Sequence, residues 1–202
     1  MKEQRIIFAT GNEGKMKEIR EIMSDLNVLV LSMKEAGIDI DIVEDGNSFQ
    51  ENADIKALAI AKLTGDIVLA DDSGLEIDYL NGEPGIYSAR YLGEDTSYDL
   101  KNQYIMKQLE NVPDEKRTAR FVCAISAVLP SGEILHSQGA IDGKIGYEQK
   151  GSNGFGYDPI FYLPKYQCTS AELLPEQKNA LSHRGQALRI IKAKLRERQE
   201  GV

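Results

Sequence analysis

Two adjacent aspartates end an apolar run in this chain. The stretch Gly65-Asp-Ile-Val-Leu-Ala-Asp-Asp-Ser-Gly74 leads four apolar residues, Ile67 to Ala70, directly into Asp71 and Asp72. The run reads as a buried strand. Carboxylates side by side near a core repel one another and need a cationic partner. Successive strand side chains point to opposite faces. If the strand stays extended, one carboxylate serves a ligand and the other takes N–H bonds or a nearby cation. If it breaks at Ala70, both reach one metal. Asp-Ser-Gly is also ordinary turn chemistry. The doubled carboxylate after so apolar a run favours function, because ligands of open α/β sheets gather outside the carboxyl ends of strands.

Four other stretches carry residue types that could act on an anionic ligand. Thr10-Gly-Asn-Glu-Gly-Lys15 lies between a strand and a helix, where backbone N–H groups and the helix dipole attract phosphate. Its spacing departs from the Walker A pattern, and a plain βα turn with an exposed lysine explains it equally well. Glu44 and Asp45 precede a helix whose Asn52 and Lys56, four apart, share one face. Taken alone, they also fit a solvated acidic loop. Gly151 to Pro159 (GSNGFGYDP) combines close-approach glycines with the flat faces of Phe155 and Tyr157 and the acceptor Asp158. Stacking a base on such a ring is worth ~1–3 kcal/mol. Lys178 to Leu188 (KNALSHRGQAL) places Lys178, His183 and Arg184 around Ser182, a candidate helix cap. Cations at a helix start oppose its dipole, and an anionic or carbonyl-bearing ligand would account for them. With two histidines in the chain, the metal these residues suit is a hard, oxygen-liganded one, Mg²⁺.

The elements that must position these residues follow from periodicity. Arg5 to Ala9 and Val28 to Leu31 read as strands, flanking a helix that carries Met16, Ile19, Ile22 and Met23. Residues 32–47 read as a loop. Ser48 and Glu51 fit a capping box for a helix over residues 50–63. Residues 74–93 read as irregular and ordered, and Tyr98 to Leu109 as a helix. Arg120 to Leu129 and Glu133 to Ile141 read as strands about the turn Pro130 to Gly132. Lys144 to Tyr147 reads as a short extended piece, and the chain closes in a helix over Ser182 to Gln199. Strands mixed with helices imply an α/β protein with a mixed sheet.

The 202 residues suit one domain, or two closely joined lobes without a linker, over 1–202. The net charge of −8 argues against coating nucleic acid. It leaves room for a small anion held by local cations. No window approaches the ~20 apolar residues of a membrane span. MKEQRIIFATGN lacks the apolar core of a signal peptide. Cys123 and Cys168 suggest neither a disulfide framework nor a zinc site, which fits a reducing cytoplasm.

In order, TGNEGK, ENADIKA, LADDSGLEID, PGIYSARY, GFGYDP and SHRGQAL resemble the motifs of the inosine triphosphate pyrophosphatases, the Ham1-like hydrolases of non-standard purine nucleotides. The resemblance spans nearly the whole chain. It implies an elongated two-lobed α/β fold with a mixed central sheet, a substrate groove between the lobes, and a homodimer. It also implies Mg²⁺-dependent hydrolysis of ITP, dITP and XTP to the monophosphate and pyrophosphate. By position, residues 10–15 match the phosphate loop (Thr10, Gly11, Asn12, Glu13, Gly14, Lys15), with Thr10, Asn12 and Lys15 as its side-chain contacts. Glu44 and Asp72 match the metal-binding acids, and Asp72 the proton acceptor. Lys56 and Ser73 match substrate contacts. Phe155, Gly156, Tyr157, Asp158, Lys178, His183 and Arg184 match base and nucleotide contacts. Asp71 and Arg90 are supporting candidates read from the residues. The alternatives are a related pyrophosphatase for other modified nucleotides and a nucleotide-binding sensor without turnover.

Overall fold

The computed structural model of the protein describes residues 5–26 and 28–200. The first four residues, part of the segment in which no signal peptide is expected, lie outside them. The described chain runs β1 (Arg5–Phe8), α1 (Glu13–Met23), β2 (Leu29–Ser32), α2 (Phe49–Thr64), β3 (Ile67–Ile77), α3 (Tyr98–Gln108), β4 (Thr118–Val128), β5 (Ile134–Ile145), β6 (Phe161–Leu163), β7 (Cys168–Thr169), α4 (Pro175–Leu181) and α5 (His183–Glu200), with short 3₁₀ turns interspersed. The sheet has the order β2-β1-β3-β4-β5-β6-β7. It is mixed: β1 lies parallel to β2 and β3, whereas β6 is antiparallel to β5 and β7.

The chain forms two compact units. The first comprises residues 1–72, 123–139 and 184–202, and the second 73–122 and 140–183. In the first unit the strands are covered on both faces, which is why they read as near-continuous apolar runs. Ile67 and Leu69 of β3 join Ile6 and Phe8 in a core built against Met16, Ile19 and Met23 of α1 and Leu188, Ile191 and Leu195 of α5. Val68 and Ala70 join Ile7 and Ala9 on the opposite face, against Ala57 and Ile60 of α2. The second unit has its own core, around Leu75, Ile77, Ile105, Phe121, Ile145 and Phe161. All nine tyrosines belong to this second unit.

Four expectations change. β3 stays extended past Ala70, the first of the two alternatives, and runs on to Ile77, so residues 74–77, expected to be irregular, are strand. β5 likewise continues to Ile145 and absorbs the piece expected to begin at Lys144. A seven-residue helix, α4, stands where the sequence showed only a basic approach to the last helix; with Pro175 at its start, it is too short for apolar periodicity to reveal. The capping box of α2 is half formed. Ser48 Oγ accepts from the Glu51 N–H at 3.2 Å, but the Glu51 carboxylate accepts from the Asn47 N–H at 2.7 Å.

Candidate active site

Strand alternation decides what each aspartate meets. Asp71 continues the Ile67–Leu69 face toward α1 and α5, and Asp72 continues the Val68–Ala70 face toward α2. Asp71 is 1% exposed. Its Oδ1 accepts from Lys15 Nζ of α1 at 3.0 Å, and its Oδ2 accepts from Arg184 Nε of α5 at 3.2 Å. Arg184 Nη1 in turn donates to Glu18 Oε2 at 2.7 Å. Burial opposes the charge of Asp71, yet Lys15, Arg184 and Lys56 together hold its carboxyl well below the usual carboxylate range. Burial also works against the Arg184 charge, and Asp71 and Glu18 overcome it, so the guanidinium stays charged. The cation that the sequence demanded for Asp71 is thus a lysine and an arginine.

Asp72 meets a different environment. Its Oδ2 accepts from Asn52 Nδ2 at 3.0 Å, and its Oδ1 lies 3.8 Å from Lys56 Nζ. Lys56 also donates to Glu44 Oε2 at 2.7 Å. Burial dominates here and raises the Asp72 carboxyl above its ordinary value, against the pull of Lys56 and Asn52. A second contact ties the VEDG loop to α2, from the Gly46 N–H to Asn52 Oδ1 at 2.9 Å. A Cβ at Gly46 would stand 2.7 Å from that oxygen, so only glycine allows so close an approach. Asn52 therefore joins the acidic loop to the strand end. Glu44 and Asp72 present oxygen donors around one ammonium, a donor set suited to a hard cation that keeps several waters. Among the described residues no three His, Cys, Asp or Glu gather as a metal cage, so ligand oxygens would have to complete the coordination.

The stretch expected to bind phosphate is shorter as a loop than the sequence suggested. α1 begins at Glu13, which makes Gly14 helical. Asn12 Oδ1 caps the helix by accepting from the Lys15 N–H at 3.0 Å, and Thr10 Oγ1 accepts from the Asn12 N–H at 3.1 Å. The helix start and the Lys15 ammonium remain the cationic features of this turn. Glu18, unremarked in the sequence, sits three residues after Lys15 on α1 and is buried. An acid at helical spacing from that lysine, amid Met16 and Ile19, was the available signal.

In the second unit Lys178 and Asp158 form a buried ion pair of 2.7 Å. Asp158 Oδ2 also accepts from the Phe155 N–H at 2.8 Å, and Lys178 Nζ lies 4.7 Å from the Phe155 ring centre. Gly154, with φ +77°, makes room: a Cβ there would lie 2.3 Å from Asp158 Oδ2. Tyr157 is buried and donates to the Ser88 carbonyl at 2.7 Å. A pocket in this unit is lined by Phe121, Phe161, Leu173, Lys178, Ser182 and His183, among others. His183 stacks on Phe121 at 4.8 Å and 16°; Phe121 is a lining residue that its β-strand setting concealed. Arg90 lies over the Tyr87 ring at 4.9 Å, and Ser73 opens the second unit's share of β3.

The model of the Ham1 family matches residues 6–194. The chain belongs to the Ham1 family. Among its relatives, a dITP/XTP pyrophosphatase of Clostridium perfringens is 47% identical over 96% of this chain and 98% of its own length. That of Desulforamulus reducens is 48% identical over 92% of each. The structure of the Staphylococcus aureus Ham1 protein aligns with a TM-score of 0.86 at 42% identity, over 96% of this chain and all of its own. The α/β fold with a mixed sheet is therefore that of the Ham1 proteins.

Proposed function

We propose that this Ham1-family chain hydrolyses non-standard purine nucleoside triphosphates, ITP, dITP and XTP, to the monophosphate and pyrophosphate. The observation that carries the reading is the divergence of the two aspartates. Asp71 is held anionic by Lys15, Arg184 and Lys56, whereas burial makes Asp72 a stronger base beside Glu44 and Lys56. Two neighbouring carboxylates pushed apart in this way take different roles. The name borne by the relatives, dITP/XTP pyrophosphatase, supports the same chemistry.

Asp72 takes a proton from the attacking water as its oxygen bonds to the α-phosphorus. The bond from that phosphorus to the bridging oxygen then breaks, and pyrophosphate leaves. Lys15, Lys56 and the N–H groups at the start of α1 offset the charge that builds on the leaving group. Glu44 and Asp72 would hold Mg²⁺ arriving with the triphosphate. When bound, such an ion neutralises phosphate charge and makes water easier to deprotonate. In the second unit, Phe155 offers a ring face, and the backbone N–H groups of its segment with Lys178 offer donors. Donors pair with the 6-oxo group of hypoxanthine or xanthine and leave adenine's amino group unpaired. A homodimer and a cytoplasmic setting complete the proposal; sedimentation of the purified chain checks the first.

The deciding experiment is pyrophosphate release from ITP, XTP, dITP, GTP, ATP and methylated pyrimidine nucleotides, with and without Mg²⁺. Release from the first three alone, and only with the metal, is expected. Tight binding without release would identify a sensor instead, and preference for a methylated pyrimidine a different pyrophosphatase.

A further inference from the structure

The segment 155–158 is held from one side by Asp158 and Lys178, and from the other by α3. Asn102 of α3 is 1% exposed, and its Nδ2 donates to two acceptors, Gly156 O at 3.2 Å and Gln149 Oε1 at 3.1 Å. Gln149 Nε2 in turn donates to Asp99 Oδ1 at 2.7 Å, one helical turn before Asn102. This chain of amides orients Asn102 with its donor group toward the loop. The arrangement has a cost, because Asn102 Oδ1 is buried with no hydrogen-bond partner among the described residues. A stability role alone would not require a buried amide with one end unmatched. Fixing the direction of the Gly156 carbonyl would.

Gly156 has φ +68° and packs against the Tyr98 ring. Glycine populates either sign of φ, so its own backbone does not decide which way the following peptide plane faces. Asn102 decides it. In a trans peptide the carbonyl and N–H point in opposite directions. With the Gly156 carbonyl drawn to α3, the Tyr157 N–H is turned away from α3. We propose that Asn102 is a positioning residue for base choice, holding the Gly156–Tyr157 peptide so that its N–H faces the purine's 6-oxo group. A flipped plane would present a carbonyl instead, the match for adenine's 6-amino group. This inference rests on the base-recognising role given above to residues 155–158.

Asn102→Leu keeps the number and branching of side-chain heavy atoms and removes both the bond to Gly156 and the unmatched oxygen. The test compares kcat and KM for ITP and ATP, together with the melting temperature, in the full chain with Mg²⁺. The expected result is a fall of about tenfold in kcat/KM for ITP, mostly through KM, with no fall for ATP. The preference for ITP then shrinks by the same factor while the melting temperature holds. Gln149→Leu, at a less buried position, loosens the same amide and should shift the ratio in the same direction by less. It decides alone if Asn102→Leu does not fold. An unchanged ITP-to-ATP ratio in the variants, or equal losses for both nucleotides, overturns the inference while leaving the proposed function standing. A wild-type chain with no preference for ITP overturns both.

Discussion

At the scale of single residues, the site depends on neighbours in sequence that share almost no environment. Asp71 and Asp72 differ in which face of β3 they continue, and this alone gives one a lysine and an arginine and the other an amide and a shared ammonium. Their substitutions should fail in different ways. Asp72→Asn keeps size and the nearby polar groups but removes the base. Pyrophosphate release from ITP should fall by about 10²-fold or more, with little change in melting temperature; a variant of near wild-type activity would falsify the assignment. Asp71→Asn takes this anion from part-buried Lys15 and leaves buried Arg184 paired with Glu18, and breaking such a buried pair costs about 3–5 kcal/mol. Urea denaturation should show that loss whether or not substrate is present. That the two carboxylates meet different environments was legible in the sequence, because alternation along a strand is a matter of counting. Asp71's partners were not legible: Lys15 and Arg184 lie 56 and 113 residues away, and only the fold says which helix covers which face. Arg184, matched by position to a nucleotide contact, is 3% exposed and bonded to the carboxylates of Asp71 and Glu18.

At the scale of elements, the long periodic helices and the apolar strands were readable because burial writes a period into them. The misses were of two kinds. Read from sequence, strands end too early where polar or glycine residues continue a ladder, as at Gly74 to Ile77 and at Asp142 and Gly143. A short helix between loops carries too few turns to show its face, as α4 does. The contact between the VEDG loop and α2 yields a prediction at this scale. Gly46→Ala places a methyl 2.7 Å from Asn52 Oδ1 and 2.8 Å from Glu51 Cβ. The loop must shift and carry Glu44 away from Lys56, so kcat/KM for ITP should drop about tenfold or more while urea stability changes far less. The packing of α5 on α1 yields another. Asp25 accepts from Lys192 and Arg196 at 2.8 Å each, and those bonds lower its carboxyl from 3.8 to about 2. A carboxyl depressed by folding adds stability that is complete above its unfolded value and is lost as pH falls through its folded one. The stability difference between wild type and Asp25→Asn should therefore be constant above pH 3.8 and vanish near pH 2. A difference that grew in acid would contradict the tether.

For the whole molecule, the boundary between the compact units is informative. The chain passes from one to the other at residues 72–73, 122–123, 139–140 and 183–184. Three of these points lie inside β3, β4 and β5, and the fourth at the first residues of α5. Domain boundaries ordinarily fall in exposed linkers, and none of these crossing points does. Unfolding either unit breaks strands that the other also needs, so the chain should melt in one transition. The tyrosines supply a direct check, since all nine report on the second unit and the chain has no tryptophan. The far-UV signal is weighted instead toward α1, α2 and α5, the longer set of helices, which lie almost wholly in the first. Tyrosine fluorescence and far-UV ellipticity should give coincident urea curves; two separated midpoints would show that the units melt independently.

Interleaving also governs what can be done with the gene. The first unit is assembled from three separate stretches of chain and the second from two, so no single start and stop codon expresses either alone. The exposed turn Pro130 to Gly132 between β4 and β5 is a natural place to open the polypeptide. Cut there, each fragment carries part of both units. Each would need the other to complete its sheet, and recovered hydrolysis would then register that two fused proteins had met.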